Sequence, residues 1–151
     1  MRRWQCHAGL QVLSAPSFED WLAIHNLKAR YCRLLDTKDW AGWQALFTED
    51  VVLDTSAAGG PRIEGAAAAV AAVRGSIDQA ITTHHVHTPE ITVDGDEASA
   101  IWAMQDRNIW PNGRKLLGFG HYHERYRRGA DCTWRIAESR LTRINHEISE
   151  A

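Results

Sequence analysis

The spacing of apolar residues changes period partway along this chain, and that change limits its fold more than any other feature. Up to about residue 80, apolar side chains recur at steps of three and four; from residue 82 onward they alternate in twos. The first spacing lines one face of a helix and the second one face of a strand. Helices gathered first and strands second predict an α+β domain, not an alternating fold around a parallel sheet.

Ser17 and Asp20 form an S-x-x-D cap ahead of a helix over 18–35, whose buried stripe is Ile24, Leu27, Tyr31 and Leu34. The Asp36-Thr37-Lys38 turn leads to a short second helix capped by Asp39, with Trp40, Trp43 and Phe47 on roughly one face. Val51 and Leu53 mark a short strand, residues 57–61 a loop, and the Ala-rich stretch 65–80 a third helix. Strands follow over 82–87, 90–93, 97–110, 115–128 and 133–144, with a hairpin at Asp94-Gly95-Asp96. Strands this long curve, so the expected architecture is a cone-shaped antiparallel sheet packed on three N-terminal helices around one pocket. Residues 17–146 form the domain, 1–16 a loose arm and 147–151 a tail.

Composition narrows the function classes. The chain has 151 residues, a formal net charge of -2 and 17 Lys and Arg dispersed among 19 acids. A basic face of the kind that nucleic acid requires is absent from this pattern. No apolar run approaches the ~20 residues of a membrane span. Polar residues interrupt the apolar stretch after Met1-Arg2-Arg3, so a secretory leader is not expected. The cysteines, Cys6, Cys32 and Cys132, are odd in number and widely spaced, which fits reduced thiols in a cytoplasm.

Polar groups stand at several positions where apolar ones are expected. Tyr31 lies on the helical stripe, and Asp36 at that helix's C-terminal end, where the dipole disfavours a carboxylate. His84, His85 and His87 crowd one strand, with His85 and His87 on one face and His84 on the other. Asp106 shares a strand face with Trp102, Met104 and Trp110, and a carboxylate among such neighbours needs a partner. On the last strand, strict alternation puts Arg140 on the face of Trp134 and Ile136.

Four segments carry a resemblance. They are 30–40 with Leu46-Phe47-Thr48-Glu49-Asp50; 83–98 from Thr83-His84-His85 through Val93-Asp94-Gly95-Asp96; Gly120-His121-Tyr122-His123-Glu124-Arg125-Tyr126; and Trp134-Arg135-Ile136-Ala137-Glu138-Ser139-Arg140. In this order they resemble the SnoaL-like branch of the nuclear-transport-factor-2-like superfamily, with its cystatin-like cone. Scytalone-dehydratase-type and bile-acid-7α-dehydratase-type members are similar in pairing a helix-borne Tyr with a strand His and supporting acids. The resemblance implies Tyr31, Asp36, His85 and Asp106 as catalytic residues, with His84 as the fallback histidine. It implies His84, Trp102, Met104, Tyr122 and Arg140 as substrate contacts. The expected chemistry is a cofactor-free, metal-free dehydration or isomerisation of an apolar carbonyl compound. A His held by a carboxylate is a base near neutral pH, and a Tyr hydroxyl in a dry pocket stabilises an oxyanion.

Two other classes remain open at this point. His85 with His87, and His121 with His123, would form a metal site if their strands were neighbours. The fold also serves non-catalytic ligand binders and structural subunits of ring-hydroxylating dioxygenases. Apolar residues on both faces of strands 82–87 and 115–128 predict a homodimer or homotrimer formed through the outer sheet face.

Overall fold

A computed structural model describes residues 16–150, so nearly all of the expected N-terminal arm lies outside the described residues. Ser17 caps α1 (Phe18–Asp36), its hydroxyl accepting the Asp20 backbone N–H at 3.1 Å. Helix α1 buries Ile24, Leu27, Tyr31, Leu34 and Leu35 along one stripe. The turn after it passes through Lys38 at φ 61°, a left-handed conformation. Asp39 then caps α2 (Trp40–Gln44) by accepting the Gly42 N–H at 2.9 Å. Strands β1 (Phe47–Asp54) and β2 (Arg62–Glu64) form a hairpin, and α3 (Ala66–Ile77) follows.

The remaining strands are β3 (Ile81–Val86), β4 (Glu90–Asp94), β5 (Glu97–Ile109), β6 (Lys115–Arg128) and β7 (Trp134–Ser149). β7 thus runs into the segment expected as a tail. The curved, unclosed sheet has seven strands in the order β2-β1-β7-β6-β5-β3, and β4 continues the β3 edge of β5. The expectation of a wholly antiparallel sheet needs one correction: β1 pairs parallel with β7, so the sheet is mixed. Hairpins impose antiparallel pairing on the C-terminal strands, whereas β1 and β7 are joined through most of the domain and carry no such restriction.

The helices cover the concave face. Tyr31, Trp43 and Phe47 form an aromatic cluster there, with Trp43 and Phe47 ring centroids 4.7 Å apart. Trp102 and Trp134 are buried as well. The Trp134 indole donates to Asp20 at 2.9 Å, tying the last strand to the first turn of α1.

One irregularity in β7 has large consequences for the interior. Arg125 pairs with Glu138 but Tyr126 pairs with Ile136, so Ala137 is an extra residue in β7. Beyond such a bulge the alternation of faces is shifted by one. Trp134 and Ile136 point inward before it; Ser139, Leu141 and Arg143 do so after it.

Candidate functional site

A cavity of about 300 Å³ opens between the concave face, α1, α3 and the β1–β2 hairpin. Its apolar wall includes Leu35, Leu53, Ile63, Val73, Ile77 and Leu141; its polar groups are Tyr31, His84, Asp106, Tyr122, Ser139 and Arg143. The balance of walls and convergent polar groups is that of a small-molecule site.

Asp36 and His84 form the first polar pair. β3 runs beside the C-terminal end of α1, which brings the His84 ring to the carboxylate. His84 Nδ1 lies 2.6 Å from Asp36 Oδ1, and the His84 backbone N–H donates to Oδ2 at 2.8 Å. The Thr82 hydroxyl adds a third bond at 2.8 Å. These donors answer the helix-end dipole that disfavours Asp36. Burial would raise its carboxyl, but the His84 and Thr82 hydrogen bonds outweigh that and hold it below the usual range. An ionised Asp36 keeps the ring proton on Nδ1 and leaves Nε2 as the acceptor on the cavity side.

Asp106 and Arg143 form the second. Asp106 is the direct cross-strand partner of His84 on β5. Arg143 reaches it from β7 with both guanidinium ends, Nη2 donating to Oδ2 at 2.8 Å. The fork geometry matches a carboxylate on both oxygens. Gly118, between them on β6, makes this possible: a Cβ there would fall 2.1 Å from Arg143 Nη1 and 2.5 Å from Asp106 Oδ1.

Beneath the cavity lies a wholly buried ion pair, Lys28 Nζ to Glu124 Oε1 at 2.6 Å. The ammonium sits 3.9 Å and 3.7 Å from the ring centroids of Tyr31 and Tyr122. Glu124 also accepts from the hydroxyls of Ser139 and Tyr126, and Tyr126 in turn accepts from the Trp102 indole at 2.8 Å. A buried charge is tolerated only when paired and hydrogen-bonded, and both conditions hold here. Burial pushes the Tyr31 and Tyr122 phenols well above their ordinary value; for Tyr31, the Glu124 charge adds to this. Both tyrosines therefore stay neutral donors.

The structure brings Tyr31, Asp36, His84, Asp106 and Tyr122 together. It separates four residues expected with them. His85 is exposed on the outer face, because inward-facing Thr82, His84 and Val86 alternate with it; the cavity histidine is His84. Arg140 lies on the outer face near Asp54, turned out by the extra residue at Ala137, and Arg143 occupies the interior instead. Trp102 and Met104 are buried but do not line the cavity; Trp102 serves the Glu124 network, and Met104 Sδ lies 3.6 Å from Arg143 Nη1. Nor do the histidine pairs meet, since β5 lies between β3 and β6. Among the described residues no group of three or more His, Cys, Asp or Glu is placed to hold a metal ion.

Lys28, Glu124, Ser139 and Arg143 were not expected at the site. A signal for the first existed: Ile24, Lys28, Tyr31 and Leu35 are spaced four, three and four, so Lys28 belongs on the buried stripe. Glu124 sits between Tyr122 and Tyr126 on the same strand face, a comparable hint.

The fold is shared with known proteins. Rv3472(D26N), a function-unknown protein from Mycobacterium tuberculosis, is 30% identical and superposes with a TM-score of 0.74, over 84% of this chain and 77% of that one. A protein of Novosphingobium aromaticivorans provisionally assigned as a scytalone dehydratase is 20% identical, with a TM-score of 0.77 over 88% and 89% of the two chains. A type 2 hexachlorocyclohexane dehydrochlorinase (LinA) is 14% identical, with a TM-score of 0.78 over 88% and 90%. At these identities the last two share the fold alone. The model of the SnoaL-like domain matches residues 16–140, and the chain belongs to that family.

Proposed function

We propose that the protein is a cofactor-free dehydratase or isomerase acting on an apolar, carbonyl-bearing small molecule, with His84 as general base. The observation that carries this reading is the Asp36–His84 pair, 2.6 Å apart at the wall of a cavity that also holds two neutral tyrosines. His84 Nε2 takes a proton from the carbon next to the carbonyl, and the C–H electron pair moves into an enolate. Asp36 stabilises the imidazolium so formed. Tyr31 and Tyr122 donate to the enolate oxygen. The electron pair then returns to expel a β-hydroxyl, which leaves as water with the proton from His84; returning that proton to another carbon gives isomerisation instead. Asp106 and Arg143 form the adjoining polar wall, nearly neutral as a pair, which suits an uncharged substrate. The names of the scytalone-dehydratase and dehydrochlorinase neighbours, both eliminations, support this class of chemistry.

A turnover screen of β-hydroxy-ketones and unsaturated ketones tests the reading. With any substrate so found, His84→Ala is expected to lose about 10²–10⁴-fold in rate with the fold retained. Tyr31→Phe is expected to lose on the order of 10–10³-fold. Equal turnover by His84→Ala and the parent protein would remove His84 as the base. The assembly proposed with this function is a homodimer or homotrimer through the outer sheet face. Among the described residues no helix is long and apolar enough to cross a membrane.

A further inference from the structure

The hydrogen bonds behind His84 do not stop at Asp36. Thr82 Oγ1, which donates to Asp36 Oδ1 at 2.8 Å, lies 2.6 Å from Lys38 Nζ. An ammonium group has only protons to give, so Lys38 donates to the threonine. The single hydroxyl proton of Thr82 then goes to Asp36. The carboxylate accepts from that hydroxyl, from the His84 backbone and from the His84 ring. Every bond on Asp36 is thereby a donation to it, with the Lys38 cation behind one donor and the His84 ring as another.

Lys38 is also an unexpected residue for its backbone. Its φ of 61° follows directly on the end of α1, where glycine is the unstrained choice. A lysine there carries conformational strain that glycine would not, and such strain concentrates at functional positions. What glycine would lack is the ammonium that reaches Thr82 and the Leu35 carbonyl.

We propose that Lys38 and Thr82 are positioning residues that set the protonation of His84: the ammonium, acting through the Thr82 hydroxyl, draws on the Asp36 carboxylate. Asp36 then holds the ring tautomer without pulling His84 into its charged form, and Nε2 stays free to accept a proton. The proposal rests on the reading of His84 as a base. Other groups face this chain. Asp78, at the end of α3, opposes Lys38. Asp106 on β5 stands across from His84 but is paired with Arg143 of β7. Tyr31 and Cys32 of α1 and Tyr122 of β6 stay protonated. None supplies a positive charge on the Asp36 side in place of Lys38.

The test is an NMR titration of the His84 imidazole, identified by the resonance lost in His84→Gln. Lys38→Met, Lys38→Gly and Thr82→Val are each expected to move the His84 midpoint upward by on the order of 0.5–1 unit, since Asp36 then favours the imidazolium more. Lys38→Arg should leave it in place. Lys38→Gly is the discriminating variant, because relief of the left-handed strain should keep or raise its melting temperature while the midpoint still moves. An unchanged midpoint in folded Lys38→Gly and Thr82→Val, or an equal shift in Lys38→Arg, would overturn the proposal. The outcome is independent of turnover: activity retained by His84→Ala would refute the base, whereas an unmoved midpoint refutes only the chain behind it.

Discussion

Gly118 holds open the space that the Arg143 guanidinium occupies. A Cβ at Gly118 would lie 2.1 Å from Arg143 Nη1 and 2.8 Å from its Cζ. The missing side chain on β6 is filled by a residue from β7, and the filling group is the one that neutralises Asp106. Gly118→Ala is therefore expected to push the guanidinium off Asp106 and leave a buried carboxylate under-paired. A loss of about 1–3 kcal/mol of stability should follow, with Asp106→Asn/Gly118→Ala losing less than the separate changes added together. Urea denaturation of the four proteins checks this, and additive losses would mean that Gly118 does not act through the pair.

The Lys28–Glu124 pair offers a sharper contrast. Removing one partner strands a buried charge, so Lys28→Met is expected to cost about 3–5 kcal/mol. The double variant Lys28→Met/Glu124→Gln leaves no charge, keeps a carbonyl acceptor for Tyr126 and turns its NH2 toward Ser139, whose hydroxyl can accept, so most of the loss should be recovered. Chemical denaturation at pH 7 measures both. A double variant as unstable as Lys28→Met would show that packing against Tyr31 and Tyr122, rather than charge, dominates.

Acid sensitivity follows from Asp36. Its folded-state pKa lies below the ordinary aspartate value of 3.8, because the His84 and Thr82 bonds outweigh its burial. The native state thus binds fewer protons at this site than the unfolded chain. Its contribution to stability is complete above about pH 4 and is lost as the pH falls through the lower, folded value. Asp36→Asn should flatten that part of the stability profile while lowering stability at neutral pH. An unchanged slope between pH 5 and 2 (roughly the span over which such a carboxylate titrates) would count against the linkage.

Assembly can be tested on the outer sheet face. Ile81, Ile101 and Phe119 are 70%, 38% and 36% exposed there, more apolar surface than a solvated sheet face usually shows. Light scattering is expected to give a multiple of the 17.0 kDa chain mass. Ile101→Lys/Phe119→Asp should shift it to the monomer. A monomer already at micromolar concentration in the parent protein would remove the proposed interface.

The elements legible in the sequence were those written in local chemistry. The Ser17 cap, the stripe of α1, the Asp94-Gly95-Asp96 turn and the long strands each depend on neighbours a few residues away. Choices between two faces were less legible. In Thr82-Thr83-His84-His85 both faces are polar, so alternation alone could not tell which histidine points inward. Pairing with β5 decides it, because His84 stands opposite Asp106. Arg140 and Arg143 were exchanged for another reason: nothing in Ile136-Ala137-Glu138 announces an extra residue. The parallel β1–β7 pairing is likewise a long-range event, invisible to any window of sequence.

The extra residue at Ala137 makes β7 a strand with two interchangeable linings. In the present register Ser139, Leu141 and Arg143 face the cavity, while Glu138, Arg140 and Thr142 face out. Deleting Ala137 would straighten β7 and keep that lining, because Ile136 and Glu138 already stand opposite the neighbouring β6 residues Tyr126 and Arg125; keeping Ala137 but pairing it regularly with Arg125 would instead slip the strand by one and turn Glu138, Arg140 and Thr142 inward. That slip would replace a serine, a leucine and the partner of Asp106 with a carboxylate, a different arginine and a hydroxyl, with no substitution anywhere, and would set Glu138 opposite the buried Glu124. For a fold that hosts many reactions, a change of strand register at this point is a route to a new interior that leaves the surrounding scaffold intact.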